Sequence, residues 1–95
     1  ITVTIEKSSI KASGHAGTAP KGQDLVCAAF TMLCHSLIER FSKLTADSFI
    51  YKIDSGSFYF ECALPSGQGE LLINSYIAGV QLLAASYPEY ITVHA

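Results

Sequence analysis

The sequence predicts an α+β domain of element order ββαββαβ, with one β-sheet packed with two helices. Three observations predict it. Short segments near both ends and in the middle alternate apolar and polar residues, the period of a strand with one buried face. Two longer segments repeat their apolar residues at three and four, the period of a helix. The 95 residues, 49% of them hydrophobic, are enough for one core and too few for two, so residues 1–95 are read as a single domain.

Taken in order, Ile1, Val3 and Ile5 alternate with Thr2, Thr4 and Glu6 as a first strand, and Ser8-Ser9 marks a turn. Ile10 to Gly14 pairs back as a second strand and delivers His15 to its end. From about Gln23 to Leu44, the residues Val26, Phe30, Leu33, Leu37, Phe41 and Leu44 form one buried stripe of a helix. Phe49, Tyr51 and Ile53 alternate into Asp54-Ser55-Gly56-Ser57, and Phe58, Phe60, Cys62 and Leu64 alternate out of it, which is a β-hairpin. Pro65-Ser66-Gly67-Gln68-Gly69 ends the hairpin, and a second helix runs from Gly69 to Tyr87, stopped by Pro88. Tyr90-Ile91-Thr92-Val93 reads as the last strand. The second helix is apolar on nearly every side, whereas covering one sheet needs only one face. The excess predicts a second partner surface, most simply another copy of the chain in a homodimer.

Charge and cysteine usage narrow the function. Six Lys or Arg stand against eight Asp or Glu, a formal net charge of -2, and no basic run occurs, which argues against direct nucleic-acid binding through a phosphate-tracking surface. The longest uncharged run, Leu71 to Tyr87, is at the lower limit for a membrane span and is broken by Asn74, Ser75, Gln81 and Ser86, so a buried or interface helix is expected and no membrane partner. Three cysteines without a secretory leader pattern imply free thiols and a cytoplasmic location. The chain opens at Ile1 without a methionine, which implies that a preceding residue or tag was removed.

The chemistry concentrates in Ser13 to Phe30, SGHAGTAPKGQDLVCAAF. A cysteine becomes a nucleophile when its thiolate is favoured, and two features could do so. One is the positive end of the helix beginning near Gln23 or Asp24: with Asp24 as N-cap, Cys27 falls at the third helical position. The other is His15, which can take the thiol proton and hold a thiolate-imidazolium pair. Gly14, Gly17 and Gly22 let the loop between them fold back. The competing reading makes Cys27 a small buried residue beside Ala28 and Ala29 and His15 an exposed loop residue. The coincidence of histidine, glycines, helix start and cysteine makes a nucleophile at least as good an account. Asp24 either caps the helix or orients His15 as the third member of a triad. Thr31, one turn after Cys27, is a packing residue or a hydroxyl lining the same cleft, with packing favoured.

Cys27 and Cys34 are seven residues apart, roughly 10 Å along a helix, too far for a disulfide or for shared zinc ligation. Adjacent Cys34 and His35 point about 100° apart and make poor co-ligands. Cys34 and Cys62 therefore read as core, His35 and His94 as incidental, and no metal or cofactor is expected.

Gly14-His15-Ala16, Gly22, Asp24 and Val26-Cys27-Ala28-Ala29 together resemble the signature of the ribosomal-processing cysteine protease family, Prp. The uncharged second helix ending in Tyr87-Pro88-Glu89-Tyr90-Ile91 is similar to the C-terminal part of that family. The resemblance implies an endopeptidase that removes a short hydrophobic N-terminal extension, containing paired phenylalanines, from bacterial large-ribosomal-subunit protein twenty-seven. It also implies a homodimer and a mobile loop covering the site. Matched residue by residue, His15 falls on the catalytic histidine, Cys27 on the nucleophile and Asp24 on the motif aspartate. Thr31 stands where serine is usual and keeps a hydroxyl. The expected mechanism is thiol acyl transfer. Its rival is a non-catalytic dimeric binding module or ribosome-assembly adaptor with a packed Cys27. A disulfide oxidoreductase is weaker, since no Cys-x-x-Cys pair is present.

Overall fold

The computed structural model describes residues 1–14, 21–54 and 56–95, with side chains in the first helix from residue 25 onward. Its elements are β1 (Thr2–Ile5), β2 (Ser9–Ser13), α1 (Lys21–Leu44), β3 (Ile50–Asp54), β4 (Ser57–Glu61), α2 (Gly67–Ser86) and β5 (Thr92–His94), the expected ββαββαβ order. The sheet is mixed and runs β3-β4-β2-β1-β5. β1 pairs antiparallel with β2, β2 with β4 and β4 with β3, while β5 joins β1 in parallel.

Register sorts the side chains by face. Val3 opposes Ala12, Ala12 opposes Phe58, and Ile10 opposes Phe60, so these apolar residues share one face of three adjacent strands. All five are buried, and they form one core with Val26, Phe30, Cys34, Leu37 and Phe41 of α1 and Tyr76 and Val80 of α2. Both helices thus cover the same face. The opposite face carries Thr2, Thr4, Lys11, Lys52 and Tyr59, the polar half of the alternation. Phe41 anchors the far end of the core, with its ring 5.0 Å from Phe49 and 5.1 Å from Phe60, both edge-on.

The helix ends are fixed by side chains. At the end of α1, Thr45 Oγ1 donates to the Phe41 carbonyl at 2.9 Å and accepts from the Asp47 N–H at 3.1 Å. Asp47 then receives both the backbone N–H and the hydroxyl of Ser66 at 2.8 Å, and Ser66, the N-cap of α2, accepts from the Gly69 N–H. A Cβ at Gly69 would collide with the Asp47 carboxylate, so glycine is what lets this loop close on the helix.

Several boundaries differ from the sequence reading. β4 ends at Glu61: Cys62 is buried but lies past the strand, its N–H donating to the Ser8 carbonyl at 3.0 Å, and Leu64 is exposed in the following loop. The last strand starts at Thr92, leaving Ile91 buried just before it. By length and composition the segment apolar enough to cross a bilayer is Leu25–Leu44 of α1, and not Leu71 to Tyr87 of α2. One side of that segment is the core stripe of α1.

Candidate active site

At the end of the sheet where β2 and β3 finish and β4 begins, the first turns of α1 cross over the strands. They enclose a cavity of about 80 Å³. Cys27, Phe30, Thr31 and Cys34 of α1 form its roof, Ala12 and Phe58 its floor, and Gly14, Ile53, Asp54, Gly56 and Ser57 one rim, with Ile1 also against it. Spacing explains the roof. Cys27, Thr31 and Cys34 follow at four and three, one helical stripe beside the core stripe of Val26 and Phe30.

The three cysteines separate sharply. All are free thiols, but Cys27 is half-buried while Cys34 and Cys62 are buried. The Cys34 thiol is pushed up to about 12 by burial, with a hydrogen bond from the Tyr76 hydroxyl acting the other way. Its Sγ lies 3.3 Å from that hydroxyl. Burial also raises Tyr76, reinforced by Cys34. The Cys62 thiol is raised by burial first and then by the Asp47 charge. Cys34 and Cys62 are thus held as neutral core groups, as their sequence context suggested. Cys27, beside exposed Ala28 and Ala29, is not packed in the core.

Thr31 is exposed and lines the cavity, which corrects the preference for packing in favour of the cleft. Gly14 adopts φ 102°, and its N–H donates to the Gly56 carbonyl at 3.0 Å. That left-handed conformation is open to glycine at little steric cost. It ties the end of β2 to the hairpin turn, at the cavity wall, so the residue before His15 is anchored there rather than forming part of a free loop.

The start of α1 requires two corrections. Helix begins at Lys21, not near Gln23 or Asp24, so Gly22 is a helical residue and Asp24 lies inside the first turn rather than capping it. Cys27 consequently becomes the seventh helical residue. The field of the helix terminus falls off within the first turn, so it does much less for Cys27 than a third position would. The side chain of Asp24, and His15 and Gly17 altogether, lie outside the described residues. His35 and His94 are exposed and line none of this cavity. Among the described residues no His, Cys, Asp and Glu cluster fits a metal ion. The contributions of Ile53, Asp54, Phe58 and Ile1 went unrecognised in the sequence. The hairpin was legible, but the place where its turn meets α1 is a tertiary fact.

The family model of cysteine protease Prp matches residues 1–92. The ribosomal processing cysteine protease Prp of Mycoplasma pneumoniae is 31% identical over 94 residues, covering 97% of this chain and 91% of the relative. Two crystal structures of an essential ribosomal processing protease Prp from S. aureus share the fold. The one with a covalently linked product peptide has a TM-score of 0.83 at 19% identity, over 98% of this chain and 94% of that one. The one with a substrate peptide has a TM-score of 0.82 at 17% identity, with the same coverage.

Proposed function

Because the chain belongs to the cysteine protease Prp family, we propose that it removes the short hydrophobic N-terminal extension of bacterial large-ribosomal-subunit protein twenty-seven, with Cys27 as nucleophile and His15 as general base and acid. The single observation that carries the assignment of the nucleophile is the position of Cys27: it is the half-buried thiol at a cavity, while both other thiols are buried. Gly14, the neighbour of His15 in sequence, lines that cavity, which supports a short reach from the histidine to the thiol. We further propose a cytoplasmic location, in keeping with a ribosomal substrate.

In this mechanism His15 takes the Cys27 proton, and the thiolate attacks the carbonyl carbon of the scissile peptide. The C–N bond breaks as His15 returns the proton to the leaving amine. Water, deprotonated by His15, then cleaves the thioester, releasing the extension as a carboxylate and restoring the thiol. Two nearby backbone N–H groups are ill placed to stabilise the oxyanion. The Cys27 N–H belongs to the interior of α1, and the Gly14 N–H is committed to Gly56. We therefore assign that task to the remaining amides of the glycine loop, with the Thr31 hydroxyl as a further donor on the cavity wall. Asp24 keeps the role of orienting His15, since a residue inside the first turn is not the cap.

The binding-module reading rested on a packed Cys27, and the exposure of this thiol at a cavity removes its basis. A homodimer remains part of the proposal. On α2, Leu71, Ser75, Ala78 and Leu82 are exposed at spacings of four, three and four, a continuous weakly polar stripe on the side away from the core.

The test is cleavage of a peptide joining the hydrophobic extension to the mature N-terminus of protein twenty-seven, followed by mass spectrometry. The parent should cut once, between the extension and the mature N-terminus. Cys27→Ala and His15→Ala should show no turnover while keeping the parent circular dichroism spectrum. Turnover by either variant would overturn the assignment.

A further inference from the structure

We propose that β3 is the substrate-docking edge of the sheet: the extension to be removed adds as a sixth strand against Ile50–Asp54, which leads its scissile carbonyl to Cys27. This rests on the protease reading above and specifies how that site holds its substrate.

Three observations converge on this edge. β3 ends the sheet order, and among the described residues it pairs with β4 alone. Its outer row of N–H and C=O groups is therefore a template for another strand. β3 also runs into the site, because its last two residues, Ile53 and Asp54, line the cavity under Cys27 and Thr31. The other edge strand, β5, contributes none of the lining residues.

The third observation is the character of the edge. The two faces of this edge differ: Ile50, Lys52 and Asp54 share the outer face, where Lys52 pairs with Asp54, while Tyr51, 52% exposed, lies on the core side with Ile53. Tyr51 stacks on Phe49 with ring centroids 6.1 Å apart and shares its face of the strand with Ile53. Phe49, Tyr51 and Ile53 make an apolar shelf on that core-side face, continuous with the cavity through Ile53. The occupant that fits is an extended peptide segment whose side chains on the shelf side are hydrophobic. Five residues of strand span about 17 Å, room for about five substrate residues. Since β3 runs toward the cavity, residues preceding the scissile bond lie parallel to it. Ladder hydrogen bonds would satisfy the substrate main chain as water leaves the site, while the shelf takes alternate side chains.

The experiment is an N-methyl scan of the extension peptide combined with hydrogen exchange of β3. Strand addition predicts a two-residue period: N-methylation should raise KM about tenfold at alternate positions and leave the intervening ones close to the parent value. In Cys27→Ala with peptide bound, amides of β3 should exchange more slowly than in the free protein. A scan without alternation, or a bound peptide that leaves β3 exchange unchanged, overturns this inference while the protease reading stands. Failure of the parent to cut the unmodified peptide overturns the protease reading, and the docking edge with it.

Discussion

Native thiol labelling distinguishes the three cysteines without requiring a substrate. Cys34 has its thiol raised from 9.0 to about 12 by burial. Near pH 8, that lowers its thiolate population by about three decades relative to an ordinary thiol, and the thiolate is the alkylating species. Burial adds a second barrier, because Cys34 is 2% exposed and Cys62 3%. Iodoacetamide must then await an opening of the core to reach either one. Cys27 faces no such barrier. At pH ~8 it should be carboxamidomethylated at least ~100-fold faster than Cys34 in the folded protein, with the three rates becoming similar in denaturant. The assay is a quenched time course with each site resolved by peptide mass. Labelling of Cys27 should abolish cleavage in step with its modification. Cys34 reacting as fast as Cys27 under native conditions would refute the burial argument and the choice of nucleophile that depends on it.

Two further predictions concern the helices. Cys34 and Tyr76 both hold their protons more tightly when folded than at their ordinary values of 9.0 and 10.0. Their contribution to stability is thus complete below about pH 9 and declines as pH rises toward and beyond 12. The urea midpoint should fall between pH ~8 and pH ~10.5, and Tyr76→Phe should flatten that fall; a parent midpoint constant over the range would contradict the buried pair. For the proposed dimer, Leu82→Glu places a charge on a residue that is 70% exposed in one chain, so the fold should survive. Sedimentation equilibrium should show a dimeric parent and a monomeric variant, and a parent that sediments as a monomer would remove the stripe from consideration.

The path from sequence to site shows where local signals suffice. Alternation at Val3, Phe58 and Phe60 was enough to assign the buried face of their strands, because a strand's side chains can only alternate, while Ile10 and Ala12 of the short β2 joined that face only through pairing. The stripe of α1 was legible at Val26, Phe30, Leu37 and Phe41, whereas Leu33 is only partly buried and Leu44, at the helix end, is 61% exposed. The first turn of α1 was not legible: an aspartate three residues before Cys27 suggests a cap, yet the helix extends back to Lys21. Pro20 just before it would have signalled this earlier start, since proline is well tolerated at the opening of a helix and poorly inside one.

Thr31 shows the opposite limit. Its spacing from Cys27 placed it one turn away, but whether that turn faces core or cleft depends on how α1 is rotated over the sheet. That rotation is set by the packing of Val26, Phe30, Leu37 and Phe41 onto strands distant in sequence.

The amino-acid order by itself determined the ββαββαβ succession, the histidine and cysteine motif and the family it resembles, because each is carried by residues close together in the chain. Only the tertiary structure decided that Cys27, unlike buried Cys34 at the same cavity, stays partly accessible, and that among the described residues β3 is left as an edge beside it. Those properties arise from strand pairing across long separations, where β4 seats itself against β2 and, among the described residues, leaves β3 paired on one side. Which backbone groups and thiols remain accessible is therefore settled when the sheet closes and α1 docks upon it.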